Sequence, residues 1–66
     1  MTKIKKLRFD LNVTAKAVAR DLNIHPSIMS TVEAQRVPAS DRVRYKLSSF
    51  YGVPESELFS GERFAI

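Results

Sequence analysis

The chain has 66 residues, no cysteine, a single histidine and a formal net charge of +4, with a sequence pI of about 9.9. That length holds one domain, residues 1–66, of a size that buries only about 60% of its unfolded surface. Without cysteine there is neither a disulfide nor a thiolate metal site, so apolar packing or a partner subunit has to hold it together.

A zinc site would have to combine His25 with carboxylates, and the sequence spells out no such cluster, so no metal or other cofactor is expected. A basic balance of this size is the first mark of a nucleic-acid-binding domain, although small cytosolic domains often share it. The distribution says more. Lys3, Lys5, Lys6, Arg8, Lys16 and Arg20 fill the first third, Arg42, Arg44 and Lys46 form a second group, and Glu55, Glu57 and Glu62 gather near the end. One end suits an anion and the other does not. The basic start is not followed by the long apolar run of a signal peptide. No stretch approaches the roughly 20 apolar residues of a membrane span. A cytoplasmic protein that does not engage a membrane is expected.

Helical periodicity runs through most of the chain. Ile4, Leu7 and Leu11 fall on one stripe, with Thr2 as N-cap and an end near Asn12. Thr14 caps a second helix that buries Ala15, Val18, Ala19 and Leu22. Asn23 ends it, being one of the few residues besides glycine that accept a left-handed backbone. Ile24 follows as an apolar plug. Pro26 opens a third helix at the position where its missing N–H is not needed, which makes His25 the N-cap. Met29 and Val32 point inward, and Glu33 to Arg36 close this helix. Ser40 caps a fourth helix, Asp41 sits at its positive end, and Val43, Leu47 and Phe50 or Tyr51 form its inner stripe. Gly52 terminates it. Pro54 starts a short fifth helix anchored by Leu58 and Phe59, and residues 62–66 form a tail. The expectation is an all-α domain, a compact bundle of five short helices.

Residues Thr14 to Gln35 meet the demands of a helix-turn-helix. Such a motif needs a small residue where the two helices approach, a turn residue tolerant of positive φ, inward apolar residues about three apart, and polar residues near the start of the second helix. Ala19, Asn23, Ile24, Met29 and Val32 supply the structural part in order. Ser27, Ile28 and Thr31 fall on the outward face of the third helix.

From Ile4 to Phe59 the chain resembles the Cro/repressor-type helix-turn-helix family, named for lambdoid phage repressors and also called XRE-like. The resemblance rests on "LRFDLNVTAKAVARDLNIHPSIMSTVEAQR" followed by "KLSSFYGVPESELF". It matches Arg8 late in the first helix, Val18-Ala19 in the second, Met29-Ser30-Thr31-Val32-Glu33 in the third, then Leu47, Gly52-Val53 and Leu58-Phe59. Two positions depart from the family pattern. Ala15 stands where a glutamine or other polar residue usually opens the second helix, which removes a phosphate contact. Gln35 stands where glycine often follows the third helix, which implies a different exit.

The resemblance implies a partly buried ion pair between Arg8 and Glu33 that holds the third helix in place. It also puts Pro26, Ser27, Ile28 and Thr31 in the major groove of double-stranded DNA. Serine and threonine hydroxyls bond to several base edges, and Ile28 suits a thymine methyl. The face lacks arginine, asparagine and glutamine, so only modest base specificity is expected unless DNA shape or a dimer adds to it. The alternative is an ordinary solvated face, against which the apolar Ile28 argues. His25 and Thr14, at helix N-termini, are phosphate candidates as well as caps. Lys16, Arg20 and Arg36 are further phosphate partners, which position a protein without reading sequence. Lys3, Lys5 and Lys6 act likewise as a looser arm.

Phe64 and Ile66 either cover a gap in the core or pack against a second subunit, the second being preferred. Family members commonly bind as homodimers to half-sites about 34 Å apart. The leading functional expectation is a sequence-specific transcriptional regulator, a Cro-like repressor of phage or mobile-element type. The alternative is an antitoxin-like or accessory protein-interaction module on the same fold. An enzyme is not expected, nor a small-molecule substrate. There is no phosphate loop, no nucleophilic cysteine and no paired carboxylates on one helix face.

Overall fold

Three N-caps supplied by threonine or serine hydroxyls set where helices begin. The computed structural model describes all 66 residues. Thr2 Oγ1 accepts from Lys5 N at 3.3 Å and opens α1, Lys3–Asp10. Thr14 Oγ1 accepts from Ala17 N at 3.1 Å and opens α2, Ala15–Asp21. Ser40 Oγ accepts from Val43 N at 3.2 Å and opens α4, Asp41–Tyr51. Between them lies α3, Pro26–Glu33, with proline in its first turn and His25 as N-cap. The short α5, Glu55–Leu58, follows Pro54, which is its N-cap and not its first residue. Helices make up all the regular structure, and none is long and apolar enough to cross a membrane.

One device ends four of the five helices. Asn12, Asn23, Gln35 and Gly52 adopt left-handed backbone at φ 56°, 56°, 61° and 67°. The next residue's N–H then reaches back five positions: Val13 to Arg8 O, Ile24 to Ala19 O, Arg36 to Thr31 O and Val53 to Ser48 O. These bonds satisfy carbonyls that a helix end leaves orphaned. The device stops α3 at Glu33, so Ala34, Gln35 and Arg36 lie in its exit and not within the helix. It also overturns one expectation for α1. The helix ends at Asp10 and the chain turns at Leu11, so Leu11 leaves the inner stripe and is 55% exposed.

The core is one cluster around Ile4, Val18, Ala19, Met29, Val32, Val43, Leu47, Leu58 and Phe59, all buried. Tyr51 packs against it, whereas its neighbour Phe50 is more exposed. Ala19 is fully buried on α2, which packs closely on α3. Lys46 Nζ donates to Leu22 O at 2.6 Å and ties α4 to the end of α2. Residues 62–66 do not hang free. Phe59 and Ala65 form an antiparallel bridge, Ile66 N donates to Leu58 O at 3.1 Å, and Lys3 N donates to Ile66 O at 2.7 Å. Ala65 is fully buried and Phe64 half-buried, while the Ile66 side chain stays half-exposed.

The position of α3 is fixed from α1. Arg8 and Glu33 meet in two parallel hydrogen bonds, Nε to Oε2 at 2.9 Å and Nη2 to Oε1 at 3.1 Å. Their side chains are 10% and 7% exposed. Arg8 Nη1 also donates to Val13 O at 3.1 Å, so one guanidinium joins α1, the turn after it and the end of α3. The Phe9 ring lies 4.9 Å from the guanidinium carbon and shields it, which gives that half-exposed aromatic a structural role. Beside the pair, the Tyr51 hydroxyl is buried without a hydrogen-bond partner. Burial, then the charge of Glu33, push its pKa from 10.0 to about 12, against the opposing charge of Arg8.

Two predictions follow from this pairing. Glu33→Ala leaves the Arg8 charge buried and unpaired, at a cost of about 3–5 kcal/mol. Total stability for a domain of this length is on the order of 3–10 kcal/mol. Urea melts should find Glu33→Ala at the edge of unfolding, and the apolar pair Arg8→Met with Glu33→Leu recovering most of the loss. Tyr51→Phe removes an unpaired hydroxyl and should leave neutral-pH stability equal or higher, by up to about 1 kcal/mol. Because the folded-state pKa is raised, the phenol's contribution is fully present below pH 10 and lost as pH climbs toward 12. Melts at pH 7 and pH 11 should therefore show a smaller alkaline loss in Tyr51→Phe than in the parent chain.

Candidate nucleic-acid interface

On a helix, successive residues are 100° apart, so a buried face determines the outward one. In α3 the buried residues are Met29, Val32 and Glu33. Their mean direction lies nearly opposite Ser27 and Thr31, one turn apart on a single stripe, with Ser30 and Ile28 on the flanks. Ser27 and Ser30 are exposed, Ile28 is 45% exposed and Thr31 is partly covered. Neither Ser27 nor Thr31 turns inward.

Local hydrogen bonds organise this stripe. His25 Nδ1 accepts from Ser27 N at 3.1 Å, which makes a histidine, a weak cap by residue type, into a working one. The Ser27 hydroxyl meets the same nitrogen at 2.7 Å. In the tautomer with Nδ1 accepting, the ring proton is on Nε2, which forms no hydrogen bond within the chain. Thr31 Oγ1 donates back to the carbonyls of Ser27 at 2.9 Å and Ile28 at 3.0 Å. His25 and Pro26 are exposed at the head of the helix. His25 and Ile28 share a shallow groove with Ser40 and Arg42, from the start of α4.

Some cations are held by the fold, and others, Lys5, Lys6 and Arg63 among them, form no ion pair. Arg44 is spent on structure, bound to Asp41, to Glu55 at 3.2 Å and to Ala39 O. Lys46 holds Leu22 O, Arg8 holds Glu33, and Lys3 lies 3.9 Å from Glu57. Lys16 and Arg20 on α2, Arg36 after α3 and Arg42 on α4 are exposed and form no ion pair. Lys16 and Arg20 stand one turn apart on one flank of α2, with Asp21 toward the other. Arg36 occupies the position where the other three left-handed helix ends place Val13, Ile24 or Val53. An apolar residue is the usual partner there, so Arg36 leaves a local rule unmet and a charge free.

The sequence singled out Lys16, Arg20 and Arg36 but passed over Arg42, which it grouped with Arg44 and Lys46. Helix spacing marks Arg44, three residues after Asp41, but does not separate Arg42 from Lys46. The partners Glu55 of Arg44 and Leu22 of Lys46 come from other elements, and only folding brings them close. Thr14 is exposed, with its hydroxyl capping α2. Arg8 and Glu33 lie behind α3 as its support and not on its outward face. Lys3, Lys5 and Lys6 belong to α1 and form no loose arm.

The chain finds no match among protein-family models, curated proteins or solved structures.

Proposed function

We propose that this chain is a double-stranded DNA-binding transcriptional regulator in which α2, the Leu22–His25 turn and α3 act as a helix-turn-helix. The observation that carries the reading is the composition of the outward stripe of α3. A helix held by a buried ion pair and two buried apolar residues presents Ser27, Thr31 and Ile28 to solvent. Unpaired cations stand on neighbouring elements: Lys16 and Arg20 on α2, which packs against α3, Arg36 at the exit of α3, and Arg42 in the groove beside its head. Short hydroxyls and an aliphatic side chain fit base edges and thymine methyls, and the surrounding charges fit phosphates. The exposed His25 ring stands at the head of α3, where a helix dipole favours an anion.

On this reading the protein acts in the cytoplasm without catalysis, by occupying a promoter and excluding other proteins from it. The type proposed is a Cro-like repressor of phage or mobile-element origin, a reading that draws on the sequence resemblance. A second reading, an antitoxin-like or accessory interaction module, draws on Leu11, Tyr45 and Ile66. All three are at least half-exposed and lie outside α2 and α3. They suit a protein partner or a second copy.

Fluorescence anisotropy with labelled duplex DNA tests the first reading. Affinity should fall steeply as salt rises, with a slope of about 0.9 in log K per phosphate neutralised. Arg36→Ala and Arg42→Ala should each flatten that slope by roughly this amount, and Lys16→Glu with Arg20→Glu should nearly abolish binding. Affinity that is independent of salt and of these substitutions would favour the interaction module instead.

A further inference from the structure

The hydrogen-bond pattern on α3 says which base edges its outward stripe can meet. A serine or threonine hydroxyl has one proton to donate and two lone pairs to accept with. On the outward stripe the Thr31 proton is already used, and so is that of Ser27 when His25 Nδ1 is unprotonated. Thr31 shares its own between the carbonyls of Ser27 and Ile28, at 2.9 and 3.0 Å. Ser27 sits 2.7 Å from His25 Nδ1. When that nitrogen carries no proton it accepts the Ser27 backbone N–H, and in this tautomer the serine hydroxyl donates to it as well. What Ser27 and Thr31 have left to offer outward is lone pairs.

We infer that the Ser27–Thr31 stripe selects DNA by accepting hydrogen bonds from exocyclic amino groups, above all adenine N6. This rests on the DNA-binding reading above and adds the chemistry of the site to it. In the major groove adenine N6 and cytosine N4 donate, while guanine N7 and O6 and thymine O4 only accept. An acceptor stripe therefore has no bond to make with guanine or thymine unless it first breaks an internal one. Ile28, on the adjoining flank and 45% exposed, narrows the choice. Its apolar contact is the thymine methyl, which an A·T pair carries in the same groove as the adenine amino group. The His25 cap thereby sets specificity as well as starting the helix, because it consumes the proton that would let Ser27 read an acceptor.

The test uses the intact chain. Bound duplexes are first selected from a random pool, and each adenine of the resulting site is then replaced in two ways. One analogue is purine lacking the 6-amino group, and the other is 7-deazaadenine, lacking the N7 acceptor. At the positions under α3, loss of the amino group should weaken binding about 5- to 10-fold, and loss of N7 by less than about 2-fold. In Thr31→Val, which keeps the side-chain shape, one of the amino-sensitive positions should become insensitive. The inference is overturned by sensitivity to N7 without sensitivity to N6, by guanine at the selected positions, or by duplex binding with no base preference. In those cases DNA binding itself stands. Absence of any duplex binding overturns the regulator reading and this inference with it.

Discussion

The placement of α3 depends on one buried contact, the two-pronged ion pair between Arg8 and Glu33. A chain of 66 residues has little apolar interior to hold five helices in register. Hydrophobic contact is also non-directional and tolerates small rotations of a helix about its axis. Two parallel hydrogen bonds between planar groups are directional. They hold the last residue of α3 to the last turn of α1, and with Met29 and Val32 they define which way that helix faces. The outward direction of Ser27 and Thr31 follows from that constraint. The pair acts on the candidate interface from behind, without touching whatever binds there.

The rest of the architecture supplies reach and limits. Four left-handed helix ends keep the connections short, and each satisfies helix carbonyls that would otherwise be orphaned. The C-terminal segment closes the far side by bridging Phe59 with Ala65 and bonding to Lys3, and Gln35 Nε2 donates to Ala65 O at 2.7 Å. The exit of α3 is thus fastened to the same segment that covers the core. Glu55 and Glu57 at that side are engaged by Arg44 and Lys3. Lys16, Arg20, Arg36 and Arg42 are unpaired on α2, after α3 and on α4, as Lys5, Lys6 and Arg63 are elsewhere.

Much of this was legible in the sequence because it is local. Thr2, Thr14 and Ser40 are strong caps, Pro26 fixes the start of α3, and Asn23 and Gly52 accept positive φ at low cost. Met29 and Val32 follow helix spacing, and the Arg8–Glu33 contact followed from resemblance. What escaped depends on distance or on single-atom geometry. Gln35 carries no mark of left-handed backbone; its side chain is held by Ala65, thirty residues on. Leu11 matches the stripe of α1 and misses it only because the helix stops one residue earlier. The Phe59–Ala65 bridge is one pair long and has no period to detect. Arg44 has Asp41 three residues before it on α4, a spacing Arg42 lacks, but only the fold brings Glu55 to Arg44. The commitment of the Ser27 and Thr31 protons is a matter of rotamers and cannot be read from residue types.

The central claim is that the face of α3 opposite Met29 and Val32 is the surface that meets DNA. Amide chemical shifts of the isotopically labelled chain, followed during titration with duplex DNA, test it most directly. Perturbations should concentrate on His25 to Thr31, with smaller ones at Lys16, Arg20, Arg36 and Arg42. Changes confined to Leu11, Tyr45 and the residues after Phe59, with α3 unmoved, would contradict the account.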